Sequence, residues 1–133
     1  LPGDLRLEKI TPDVSGAGFR KSAEKTMEEY IQVVTTVDSD EAAGRIARLL
    51  LEERLAACVQ VLGPMTSHYR WQGKIETAAE YLCLIKSRKG LFSEIEAALK
   101  SIHPYEVPEI LAMPVSDGSR EYLAWLVAET KAD

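Results

Sequence analysis

Apolar and β-branched residues run almost unbroken from Tyr30 to Val37, which predicts a buried strand. Asp38 follows with Glu41 three residues on, a capping-box-like helix start. Ala42, Ala43, Ile46, Ala47, Leu49, Leu50 and Leu55 then recur at helical spacing, while Arg45, Arg48, Glu52 and Glu53 fill the other face; this helix should end near Arg54 or Leu55. Ala57–Leu62 reads as a strand, broken or bulged at Gly63-Pro64 and resumed over Thr66–Trp71. Gln72-Gly73 is a turn, Lys74–Glu76 starts the return, and Glu80–Lys86 is a third strong strand. The result is a long bent hairpin over about 57–86. Leu91, Phe92, Ile95, Ala98, Leu99 and Ile102 mark a second helix over about 89–102, stopped at His103-Pro104 because proline disfavours helix in the residue before it. Glu109–Val115 is a fourth strand, and Pro108 and Pro114 suit an edge or a strand end. Asp117 is expected to cap a last helix with Tyr122, Leu123, Trp125 and Leu126 as its apolar stripe.

The order is β-α-β-β-α-β plus a C-terminal helix. Helices between strands one and two and between strands three and four force crossovers, while the hairpin pairs strands two and three. With right-handed crossovers the simplest solution is an α+β, ferredoxin-like sandwich with both helices on one face of the sheet. Val33, Thr35, Val59, Val61, Leu82, Leu84 and Leu111 leave both faces apolar, so a second protomer is a natural cover for the other one.

Composition narrows the class. The chain has 133 residues, 46% hydrophobic and 28% charged, the profile of one ordinary globular domain. Its longest apolar runs fall far short of the ~18 residues of a membrane span. Sixteen basic residues against 21 acidic give net −5, which disfavours a nucleic-acid partner. Residues 1–26 carry five basic and four acidic side chains with Pro2, Gly3, Pro12, Gly16 and Gly18 and no sustained periodicity. They read as a tail or extension ahead of a domain over 27–133, without the apolar stretch of a secretory signal. The two cysteines, Cys58 and Cys83, form no CxxC motif and read as reduced thiols of a cytoplasmic protein, lying on paired strands and close to each other.

Several motifs then coincide. Leu55-Ala-Ala-Cys-Val59, Ser67-His-Tyr-Arg-Trp-Gln-Gly-Lys74, Ile85-Lys86 and His103-Pro-Tyr-Glu-Val-Pro-Glu-Ile110 resemble, in order, the CutA family of divalent-cation tolerance proteins, and Tyr122 and Trp125 match its C-terminal pattern. The resemblance covers about residues 29–127 and leaves the tail without a counterpart. It implies a tight, PII-like homotrimer in which long hairpins reach across to neighbours. Bacterial members are associated with tolerance of copper and other divalent metals. The site ascribed to them joins a cysteine on strand one to the histidine of the His-Pro-Tyr motif and a nearby glutamate. By this resemblance His103 and Glu109 are the metal ligands here, and Thr35 stands at the cysteine position. That exchange removes the soft ligand that Cu(I) prefers, whereas imidazole and carboxylate suit Cu(II).

Each site residue also has a plain structural role open to it. His103 can cap the second helix and Glu109 can pair with a lysine. Tyr69, Trp71, Lys86, Tyr105 and Trp125 suit either packing between protomers or a small-molecule cleft there. Lys86, ending a buried strand, suits an anion or a salt bridge to Glu109. Strand alternation puts His68 opposite Tyr69 and Trp71. Three function classes follow: a trimeric divalent-cation (copper) binding and tolerance protein; a PII-like signalling or scaffold trimer with a protein or small-molecule partner; and an acid/base enzyme using Lys86, His103, Tyr105 and Glu109. Neither Gly-x-Ser-x-Gly nor a phosphate loop occurs, so no catalytic residue is assigned. RNA binding fails on sequence, because Ile31–Val37 carries no aromatic platform. The expected partners are further copies of the chain and a divalent metal ion, with neither nucleic acid nor membrane.

Overall fold

The computed structural model describes residues 28–133, and the expected 1–26 tail falls outside them. The elements are β1 (Tyr30–Val37), α1 (Asp40–Glu52), β2 (Cys58–Trp71), β3 (Lys74–Arg88), α2 (Phe92–Ile102), β4 (Leu111–Val115) and α3 (Arg120–Glu129). A 3-10 turn, Lys89–Leu91, leads into α2. One antiparallel sheet has the order β2-β3-β1-β4, the ferredoxin-like arrangement. β1 is inside, with Val33 opposite Ile85 of β3 and Ala112 of β4. That position explains its β-branched run.

Both crossover helices press their apolar stripes onto one face. Ile46 and Leu50 of α1 and Ile95 and Leu99 of α2 meet Val33, Val37, Cys83, Ile85 and Leu91 in a single buried cluster. The caps differ from expectation by one and two residues. Ser39, not Asp38, is the N-cap of α1, its Oγ accepting from Ala42 N at 3.1 Å. Ser119, not Asp117, caps α3, accepting from Tyr122 N at 3.2 Å. In each case a serine one or two residues after the aspartate is the cap that backbone geometry selects. β4 begins at Leu111 rather than Glu109, because pairing with β1 ends at Val34 opposite Leu111.

α1 ends in a Schellman motif. Leu55 N donates to Leu50 O at 2.9 Å and Arg54 N to Leu51 O at 3.1 Å, with Arg54 in the left-handed region at φ 57°. Arg54 then reaches the end of α3, donating from Nη2 to Ala128 O at 2.7 Å, where a cation complements the helix dipole. Arg88, 4% exposed, ties the segment just before β1 and the segment after α3 to the sheet. It donates to Thr130 Oγ1, pairs with Glu28 and Asp133, and also meets the Lys131 carbonyl.

The hairpin is longer than predicted, because β3 runs on to Arg88. Its tip has φ 51° at Gln72 and φ 80° at Gly73, a two-residue turn with both central residues left-handed. The register slips between Leu62 and Met65, at the expected Gly63-Pro64 break. A Cβ on Gly63 would lie 2.5 Å from Tyr81 Cδ2, so only glycine lets the strands approach there.

Register also separates the thiols. Cys58 pairs with Lys86 and Cys83 with Val61, which places the cysteines on opposite faces of the sheet rather than together. Cys83 is fully buried against the helices, and burial pushes its thiol up to about 11. On the face turned from the helices, Leu62, Leu111 and Met113 remain exposed. No helix among the described residues is long and apolar enough to cross a membrane.

Candidate functional site

α2 ends at His103, whose extended backbone (φ −69°, ψ 135°) swings the chain away from the helix axis. The chain then passes through Pro104–Ile110 before β4, alongside the hairpin. Three hydrogen bonds shape this passage. Tyr105 N donates to His103 Nδ1 at 3.1 Å. Nδ1 is therefore the unprotonated nitrogen, and Nε2 carries the proton and donates to Thr35 Oγ1 at 3.0 Å. Tyr105 Oη donates to Glu80 Oε2 at 2.6 Å. The two rings lean on each other with centroids 5.0 Å apart.

Electrostatics follow from burial. Desolvation lowers the His103 pKa from its ordinary 6.5, against smaller opposing effects of the Thr36 backbone, Asp38 and Glu80. The ring is thus held neutral at pH 7. Desolvation, then the bond to Glu80, raises the Tyr105 phenol well above its usual value and keeps it a donor.

A cleft of about 620 Å³ opens between this passage and the outer part of the hairpin. Tyr69, Trp71 and Tyr105 supply its aromatic rings, His68 an imidazole, and Glu80, Glu106 and Glu109 its carboxylates. No lysine or arginine among the described residues lines it. Three of the residues singled out as cleft aromatics therefore do meet, and Glu109 is with them. Lys86 and Trp125 do not line this cleft, and neither does His103, which meets it only through Tyr105. Lys86 Nζ donates to Gln60 Oε1 at 2.6 Å rather than to Glu109. Trp125 leans on Tyr122 at 5.5 Å in α3. His68 pairs with Thr77 in register, its Nδ1 3.2 Å from Thr77 Oγ1, yet it lines the cleft together with Tyr69 and Trp71 rather than standing apart from them.

Sequence reasoning did not single out Glu80 or Glu106. Glu80 is 8% exposed, and an acid opening a strong strand was the available signal. Within one protomer the metal ligand set is incomplete. Both nitrogens of His103 are engaged, Glu109 is exposed, and no three His, Cys, Asp or Glu side chains among the described residues are grouped to hold a metal.

The arrangement of sheet, hairpin and His-Pro-Tyr passage has counterparts. The family model described as CutA1 divalent ion tolerance protein matches residues 31–129. The chain belongs to the CutA1 family. It is 47% identical over 104 residues to the divalent-cation tolerance protein CutA of Thermus thermophilus, with 78% of this chain and 99% of that one covered. A solved structure of the divalent cation tolerance protein from the same organism superposes with a TM-score of 0.75 at 46% identity, covering 77% of this chain and 99% of that one. Protein CutA 1, chloroplastic, of Oryza sativa is 38% identical over 117 residues; this chain spans 66% of its length and the match covers 88% of this chain. CutA1 proteins are named for tolerance of divalent ions rather than for a reaction. Thr35, in β1, is fully buried and touches His103 directly.

Proposed function

We propose that the chain works as a homotrimeric divalent-cation protein, copper(II) foremost, with its cation held at the inter-protomer clefts. The observation that carries this reading is the lining of the cleft: three carboxylates and no lysine or arginine among the described residues. Such a lining raises the local concentration of cations and repels phosphate. Glu109 on the lining and His103, which leans on Tyr105 just off it, are the proposed ligands, with Glu80 and Glu106 also on the lining. Ligation by His103 requires either the Tyr105 N–H or the Thr35 hydroxyl to give up its ring nitrogen. A neighbouring copy supplies what a single protomer lacks. Two features support the trimer. Leu62, Leu111 and Met113 remain exposed on the sheet face turned from α1 and α2, and the outer hairpin bears exposed Tyr69, Trp71 and Ile75. Free thiols on opposite faces of the sheet support a reducing, cytoplasmic setting.

The test is calorimetric titration of Cu(II) into the protein, with His103→Ala and Glu109→Gln run beside it and the oligomer followed by light scattering. Saturable binding at a fixed ratio per protomer should weaken about tenfold or more in each variant, with the trimer intact. Equal binding in all three would make copper adventitious and favour the scaffold reading.

A further inference from the structure

We propose that the same cleft binds an organic ammonium ion, a quaternary or alkylated amine, seated on Tyr69, Trp71 and Tyr105 and neutralised by Glu80, Glu106 and Glu109. The first argument is size. About 620 Å³ lies in the middle of the range for small-molecule sites, roughly 300–1,000 Å³. A metal ion with ligands about 2–2.5 Å away fills only a corner of it.

The second argument is the pairing of surfaces. Aromatic faces carry negative potential, so three rings and three carboxylates act in the same sense on a cation. A neutral apolar ligand would desolvate the carboxylates without compensation. An anion would meet three carboxylates against one imidazole, His68, and no lysine or arginine among the described lining residues. A bare metal ion would leave the rings unused. A positive charge clothed in hydrocarbon uses both halves.

The third argument is preorganisation. The Tyr105 ring is pinned at its hydroxyl by Glu80, 2.6 Å away, and along its side by His103. Glu80 is in turn buried. A ring fixed before binding loses little entropy when a ligand settles on it.

The experiment is calorimetry on the metal-free protein, with chelator present, using tetraethylammonium chloride as the probe and potassium chloride at equal ionic strength as the reference. Saturable binding to the full chain is expected. The Glu106→Gln/Glu109→Gln double variant, which alters exposed side chains and spares the core, should weaken it about tenfold or more. Trp71→Leu, titrated at a concentration where light scattering shows the same oligomeric state as the parent, should weaken it roughly twofold to thirtyfold. The proposal is overturned if no heat exceeds that of potassium chloride, as when a neighbouring copy fills the cleft. It is also overturned if both variants bind as the parent does, or if only the glutamate changes matter, which would leave a plain counter-ion patch. Because copper is absent throughout, failure here leaves the metal reading standing, and failure of the copper titration leaves this one standing.

Discussion

The two halves of the β2–β3 hairpin share a covalent ribbon and differ in almost everything else. β3 pairs with β1 from Tyr81 to Arg88, and over Leu82–Lys86 it pairs with β2 as well. Cys83, Ile85 and Ser87 there have no exposure. From Lys74 to Glu80 it pairs with β2 alone. That outer ribbon extends roughly 23 Å at the rise of a strand, and Ile75 near its tip is 73% exposed. A two-stranded ribbon is marginal in water without a further partner. The inner half is thus held by the protomer's own core. The outer half carries rings and carboxylates to where the protomer ends, against the His103–Glu109 passage. Stability and function are assigned to different lengths of one element, with the Gly63-Pro64 irregularity between them.

The largest effect that tests this division is at the core. Leu99→Ala should cost about 2–5 kcal/mol in urea denaturation, while Ile75→Ala should stay within about 0.5 kcal/mol for the folding of the protomer. Comparable losses at both sites would break the comparison. Trp71→Ala should act next most strongly, and on assembly rather than folding. For the proposed trimer, sedimentation should show dissociation with a penalty of about 2–4 kcal/mol, while far-ultraviolet circular dichroism stays unchanged.

The smallest effect is the pH response of the passage that closes the cleft. The folded state lowers the His103 pKa below 6.5, so the unfolded chain binds the extra proton first. Stability from this group is complete above about 6.5 and is lost as pH falls through that value toward the lowered folded one. Protonation also removes the acceptor for Tyr105 N–H. Melting temperature should therefore drop on acidification through this window more in the parent than in His103→Gln. Parallel curves would show that the ring does not titrate as its burial demands.

Much of this was legible in the chain. The β-branched run of β1, the helical stripes of α1 and α2, the Gln72-Gly73 turn and the His103-Pro104 stop all appear where expected, because each rests on local periodicity or on a backbone constraint. The caps were misplaced because Asp38 and Ser39, like Asp117 and Ser119, are competing acceptors whose choice depends on where the backbone turns. The cysteines were thought close because pairing was inferred without register, and a shift in register changes which face a side chain takes.

The sequence alone determined the element order, the sheet that order entails and the family motifs, including His103, Glu109 and the aromatic residues of the hairpin. Tertiary structure decided which of these meet. It brought Tyr69, Trp71, Tyr105 and Glu109 into one cleft and left Lys86 and Trp125 outside it. It added Glu80 and Glu106 to the lining, and it closed His103 between Thr35 and Tyr105. The physical reason is separation along the chain. His103 and Thr35 are 68 residues apart, and Tyr105 and Glu80 are 25 apart. No local pattern encodes such contacts; only the closed sheet and the helix packed upon it bring them within hydrogen-bond reach.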